Sequence, residues 1–241
     1  MKDFDRNWNY ALLALIGALT MLEMGCKKPN HEPEPPTIVY GTVRDIDYNS
    51  YKTVKIGAQE WMAENLRTTR YRNGDSITNA TSDTAWMKLK TAAYCNYDYK
   101  DPQIYGRFYN WYTLNDSRKI APTGWHIPTD AEWDTLINFL GGDTHAGLKL
   151  QISGYGQYWW GNHGATNETG FTAVGTGFVG DTTGFLDGTI IGRWLYTYWW
   201  SSTEFNSTNA WCRNLNSDYN NNIYRYRMLK GYGYSVRCVK D

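Results

Sequence analysis

The chain carries no surplus of charge. Lys and Arg together number 24, Asp and Glu 24, and the formal net charge is +0. With no basic stripe there is no electrostatic footprint for nucleic acid. Neither His-Glu-x-x-His nor Cys-x-x-Cys occurs, so two common motifs for metal and dithiol chemistry are absent. No Ser-His-Asp order suggests itself around His126, His145 or His163. No repeat of solenoid period is present. The longest apolar run, residues 11–22, is too short for a bilayer-crossing helix. What abounds is aromatic: 16% of the chain, with 12 Trp and 20 Tyr. A core of this size cannot hold them all, and Trp and Tyr at a surface offer rigid apolar area with a polar handle. The competing reading is that the rings only cover a loop-rich fold with few aliphatics.

The short apolar run has the length of a signal-peptide core. Gly25 and Cys26 follow it, and the arrangement resembles the lipobox of bacterial lipoproteins, in which the cysteine after the cut is acylated. Residues 1–25 are therefore expected to be a lipoprotein signal peptide, with Cys26 lipidated. A soluble secreted protein cut elsewhere is the alternative. Residues 26–37, rich in Pro and Glu, read as an extended tether. Residues 38–241 are expected to form one domain held off a membrane by a lipid anchor.

Within that domain, residues 38–47, 51–56 and 59–66 alternate as three strands of a small antiparallel meander. Asn49 is the residue expected to take positive φ in the first turn. Residues 82–89 suggest a short helix placing Trp86. Residues 105–112 fit helical and strand periods alike. The clearest helix follows Pro128: Thr129 and Glu132 make a capping box, and Trp133, Leu136, Ile137 and Leu140 share one face. Gly141-Gly142 stops it. Short elements are expected over residues 170–174, 194–201, 210–215 and 235–239. The fold class is α+β, with short antiparallel strands, few helices and long loops.

Several motifs recur in order: Lys52-Thr53-Val54-Lys55-Ile56-Gly57, Trp61-Met62-Ala63-Glu64-Asn65-Leu66, Tyr109-Asn110-Trp111, Gly124-Trp125-His126-Ile127-Pro128-Thr129-Asp130-Ala131-Glu132-Trp133, Ala165-Thr166-Asn167-Glu168-Thr169-Gly170-Phe171, Trp199-Trp200-Ser201-Ser202-Thr203-Glu204 and Gly233-Tyr234-Ser235-Val236-Arg237-Cys238-Val239. Together they resemble the Fibrobacter succinogenes major paralogous domain, a family of bacterial cell-envelope lipoproteins, over about Gly41 to Asp241. The resemblance implies a C-type-lectin-like fold of the formylglycine-generating-enzyme variety and a bacterial outer-membrane address, at the cell surface or on the periplasmic face. It implies no settled activity. Ile120 stands where the family often has Cys. The lectin-like fold would bring Cys212 and Cys238 together, so a disulfide is expected there; Cys95 with Cys238, or three reduced thiols, are the alternatives.

No catalytic residue is assigned. His126 reads as a packing residue inside the helix-entry motif. The Glu-Pro-Asn, Gln-Pro-Asp and Trp-Asn-Asp triplets of sugar-binding C-type lectins are absent. No cofactor is expected; Ca²⁺ held by Asp181 and Asp187 competes with a reading of both as solvated loop residues. The candidate ligand contacts are Tyr158, Trp159 and Trp160 in one Gly-rich loop and Asn216, Asp218, Tyr219, Asn221, Tyr224 and Tyr226 in an Asn- and Tyr-rich stretch. Such rings stack on sugars while amides bond hydroxyls, and the same vocabulary serves antibody-like paratopes. Trp199 and Trp200 read as core. The expected partner is a glycan or protein ligand, bound without catalysis, on a surface of the kind that some bacteria diversify through Asn codons. A structural envelope component without a discrete ligand is the alternative, and an oxidase related to formylglycine-generating enzymes is a third.

Overall fold

The middle strand of the first meander carries its buried side chains, and its neighbours pair to either side of it. In the computed structural model, which describes residues 37–80, 86, 89–96, 101–154, 159, 164–180, 190–216 and 222–241, β1 (Tyr40–Arg44), β2 (Ser50–Ile56) and β3 (Gln59–Met62) form the expected antiparallel meander. Tyr40 lies opposite Val54, and Val54 opposite Trp61. β2 buries Tyr51, Thr53, Val54 and Ile56 while Lys52 and Lys55 face out. The β1–β2 turn differs from expectation in one residue: Tyr48, not Asn49, takes positive φ. Asp45 is the reason. Its Oδ1 accepts from the backbone N–H of Asp47 and of Asn49, and its Oδ2 from the Asn49 amide, which fixes the turn around Tyr48.

A second, small sheet joins β4 (Thr78–Asn79), β5 (Ala93–Asn96) and, after the short α1 (Pro102–Tyr105), β6 (Arg107–Tyr109). Residues 105–112 thus hold both periods in succession, because a strand gives way to α2 (Trp111–Leu114) at Asn110, whose side chain caps the Thr113 N–H. β7 (Trp125–His126) leads into α3 (Asp130–Phe139), whose capping box is present in both directions. Trp133, Leu136, Ile137 and Leu140 are all buried, as their spacing predicts. α4 (Asp143–Leu150) follows after the two glycines, both at positive φ. Of residues 82–89, Trp86 and Leu89 are described; Trp86 is a buried helical residue, whereas Leu89 is half-buried and lies outside any helix.

The third sheet is the longest-stranded: β8 (Tyr196–Glu204), β9 (Asn209–Asn216) and β10 (Ile223–Leu229), antiparallel, in the order β10-β9-β8. The last strand, β11 (Val239–Lys240), returns to the first sheet between β3 and β7, giving the order β1-β2-β3-β11-β7. First and last strands therefore share one sheet, and α3 packs Trp133 against Trp61, Phe171 and Trp199 at centroid distances of 4.7, 6.2 and 5.7 Å. The architecture is α+β, dominated by antiparallel pairing with four short helices among the described residues. The described residues from 37 to 241 belong to one compact unit. No helix among the described residues is long and apolar enough to cross a membrane.

Candidate ligand-binding face

Strand alternation sorts the residues of the third sheet onto two faces. On one, Tyr196 lies opposite Asn216, Tyr198 opposite Asn214, Tyr224 opposite Asn214, and Tyr226 opposite Cys212. Asn216, Tyr224 and Tyr226, three of the expected contacts, thus share a face with Tyr196 and Tyr198. Tyr226 is 42% exposed; the other three tyrosines and Asn216 are half-buried. Tyr224 and Tyr226 stack at 6.0 Å with planes 25° apart. Beneath them the face becomes core: Tyr198 stacks on Tyr234 at 4.7 Å and meets Phe178 edge-on at 5.1 Å, and Asn214 is fixed by donating to the Thr197 carbonyl. Burial, then the neighbouring Tyr224 and Cys212, raises the Tyr226 hydroxyl above its ordinary range, and burial does the same more strongly to Tyr198. Both stay protonated at neutral pH. Among the described residues the face is uncharged, aromatic and rich in hydroxyls and amides, equipped to stack on flat apolar faces and to bond hydroxyls.

Other expectations fare differently. Trp159 is not a contact. It is completely buried, packed in the cluster of Trp61, Trp133, Phe171 and Trp199, with its Nε1 donating to the Ala173 carbonyl at 2.8 Å. Trp199 and Trp200 are core, as expected. Cys212 and Cys238 form no disulfide. Cys212 sits in β9, whose neighbours are β8 and β10, while Cys238 adjoins β11 in the first sheet, so the two strands are not side by side. Burial pushes both thiols far above their usual range. Neither is joined to Cys95, which lies half-buried on β5. His126 is a bridge rather than a packing residue: its Nε2 meets Glu132 Oε1 at 2.8 Å and its Nδ1 meets Asp241 Oδ1 at 2.7 Å. Cys26, Tyr158, Trp160, Asp218, Tyr219 and Asn221 lie outside the described residues, as do Asp181 and Asp187. Among the described residues no group of His, Cys, Asp and Glu is arranged to hold a metal ion.

Two buried charge centres escaped the sequence reading. Arg237 is wholly buried yet bonds no carboxylate among the described residues. Its Nε donates to Asn65 Oδ1, its Nη1 to the Met62 and Phe171 carbonyls, and its Nη2 to the Thr172 carbonyl. Burial depresses the guanidinium to about 9, which still leaves it cationic at neutral pH. Thr172, a β-branched residue at φ 58, is held in that conformation by Asn167, whose Oδ1 accepts from its N–H. The second centre is Asp130, at the first turn of α3, which accepts from both Arg213 and Arg225; Arg213 also donates to Asp134. An arginine within a strand-like run, as in Ser235-Val236-Arg237-Cys238-Val239, is the signal that could have pointed to the first.

The quoted motifs thus meet in space: Asn65, Phe171, Trp199 and Arg237 come from four separate segments and touch through Arg237 and Asn65. No curated protein and no solved structure matches the chain. Residues 54–240, most of the compact unit, match the Fibrobacter succinogenes major domain, and the chain belongs to that family.

Proposed function

We propose that this protein is a lipid-anchored component of the bacterial outer membrane, at the cell surface or on its periplasmic side, whose lectin-like domain binds a glycan or protein ligand without catalysis. The observation that carries this reading is the shared face of Asn216, Tyr224 and Tyr226 with Tyr196 and Tyr198, partly exposed and seated on a rigid aromatic core. Rings of this kind supply large contact area at low entropic cost. The non-catalytic reading is supported by thiols that burial keeps protonated, where an oxidase nucleophile would need a thiolate. The anchor rests on Cys26 and the run before it.

A glycan array and a pull-down from envelope extract, each with the wild-type protein and with Tyr224→Ala/Tyr226→Ala, test the site. Retention by wild type and loss in the double variant supports it; equal retention overturns it. Incorporation of labelled palmitate, lost on Cys26→Ala, tests the anchor. A neighbouring reverse transcriptase with a template repeat would mark the surface as diversified. The second reading, a structural envelope component, draws on Trp159, a ring expected at the surface that is spent on packing. Silence in both binding assays favours it.

A further inference from the structure

The opposite face of the same sheet carries a different arrangement, one that the tyrosine face does not use. Trp211 on β9 and Phe205 in the β8–β9 turn meet edge to face, with centroids 5.1 Å apart. Arg225 stands over Trp211 at 3.7 Å and Arg227 over Phe205 at 5.0 Å. Arg225, Arg227 and Leu229 are alternate residues of β10, so they share a side and stand about 7 Å apart. Phe205 is 40% and Leu229 48% exposed, and both arginines are exposed.

The electrostatics are incomplete. Arg225 shares Asp130 with Arg213. The Arg227 guanidinium donates no hydrogen bond and meets no carboxylate among the described residues; the Phe205 ring is its partner. A guanidinium laid on a ring keeps its in-plane donors available for bidentate contact with a carboxylate. Stacking also removes much of the side-chain entropy that binding would otherwise cost. β10 is the outer strand of its sheet, buried at Ile223 and open from Arg225 onward. Its outward backbone groups are therefore a template for an added strand.

We infer that the open half of β10 is a docking edge for an extended acidic peptide segment of a partner protein. Carboxylates at two alternate positions of that segment meet Arg225 and Arg227, and an apolar residue two places further on covers Leu229. Two features favour a peptide over an anionic polysaccharide. The two-residue period of the arginines is that of an extended strand, and only a peptide offers the backbone donors and acceptors that a strand edge needs. Trp211 already has Arg225 on its face, which works against a sugar stacking there. This surface is distinct from the tyrosine face.

The test is fluorescence anisotropy of a short labelled peptide in which glutamates alternate with threonines ahead of a leucine, titrated with the full-length protein. Binding is expected, weakened about tenfold or more by glutamine in place of the glutamates or by Arg227→Gln, which removes one charge-assisted contact. Tyr226→Ala, on the other face, leaves it unchanged, so failure here and failure of the proposed tyrosine site are separately visible. Arg227 is exposed and the variant is expected to fold; slowed amide exchange along β10 in the wild-type complex is an independent readout. Equal binding by a composition-matched peptide with its glutamates in succession overturns the inference. So does an Arg227→Gln protein that binds normally, or a silent peptide beside binding of polygalacturonate.

Discussion

Asn65 and Arg237, far apart in sequence, are bonded side chain to side chain in the core: Asn65 Oδ1 accepts from Arg237 Nε at 2.7 Å. The same oxygen accepts from Trp199 Nε1 at 3.0 Å, while the Asn65 amide donates to the Tyr105 carbonyl. One short side chain thereby ties the end of the meander to the third sheet, to α1 and to the segment that leads into β11.

Asn65→Ala is expected to destabilise the domain by about 2–5 kcal/mol, since it strands two buried donors, one of them charged. Arg237→Lys is expected to cost as much, because one ammonium cannot reproduce the fork that serves Asn65 and the carbonyls of Met62, Phe171 and Thr172. Urea midpoints measure both. Either variant within about 0.5 kcal/mol of wild type would show that the centre contributes nothing to folding.

His126 links the capping box to Asp241. Both ring nitrogens face carboxylate oxygens, so the ring donates twice only as the imidazolium. Burial works against that charge, but the bonds to Asp241 and Glu132 outweigh it and the pKa is raised above 6.5. A raised folded pKa adds stability that is fully present below the unfolded value, about 6.5, and is lost as pH climbs through the folded value. Glu132 has the opposite sign. Burial raises it, but bonds from Thr129 and His126 bring it below 4.5, and its contribution is lost as pH falls through that lowered value. His126→Gln should therefore narrow the gap to wild type as pH rises from about 6 to 9, by less than about 1 kcal/mol because the ring is partly solvated. Thermal midpoints across that range report it, and a pH-independent gap would dispose of the linkage.

What sequence could and could not disclose follows the range of the interactions. The α3 capping box and its buried stripe were legible because Thr129, Glu132, Trp133 and Leu136 act within two turns. The meander was legible because β2 carries its own alternation. The Asn65–Arg237 bond was not, since nothing local to either residue encodes the other. For Trp159, a Gly-rich stretch crowded with rings reads as surface, whereas its burial rests on residues outside that stretch, the Ala173 carbonyl and the cluster that holds Trp133. The disulfide failed for the same reason: which sheet a cysteine joins is a topological fact. Of the candidate site, Asn216, Tyr224 and Tyr226 were legible as chemistry, but their common face with Tyr196 and Tyr198 depends on register across β8, β9 and β10.

Asp130 and Arg213 form a pair whose parts are worth less than their match. Arg213 is buried and donates to both the Asp130 carboxylate and its backbone carbonyl. Asp130→Ala leaves that guanidinium with the half-exposed Asp134 as its one carboxylate partner among the described residues, beside the backbone carbonyl at position 130, and is expected to cost about 3–5 kcal/mol. Asp130→Leu with Arg213→Met removes both charges and should cost less than either single change. A double-mutant cycle in urea measures this; additive costs would mean the two residues do not act as a pair.

Trp159 and Tyr226 separate packing from recognition. Trp159→Ala opens a cavity in the Trp61–Trp133–Phe171–Trp199 cluster and deletes the bond to Ala173, with an expected cost of about 3–5 kcal/mol. Tyr226→Ala removes an exposed ring that, among the described residues, stacks on Tyr224 alone, and is expected to shift stability by no more than about 1 kcal/mol while lowering affinity for whatever ligand the glycan array or pull-down identifies. Circular dichroism melts alongside the binding assay resolve the two. Cooperative unfolding of Trp159→Ala at the wild-type midpoint would contradict its place in the core. A Tyr226→Ala protein that melts normally and still binds that ligand at full strength would remove Tyr226 from the recognition face.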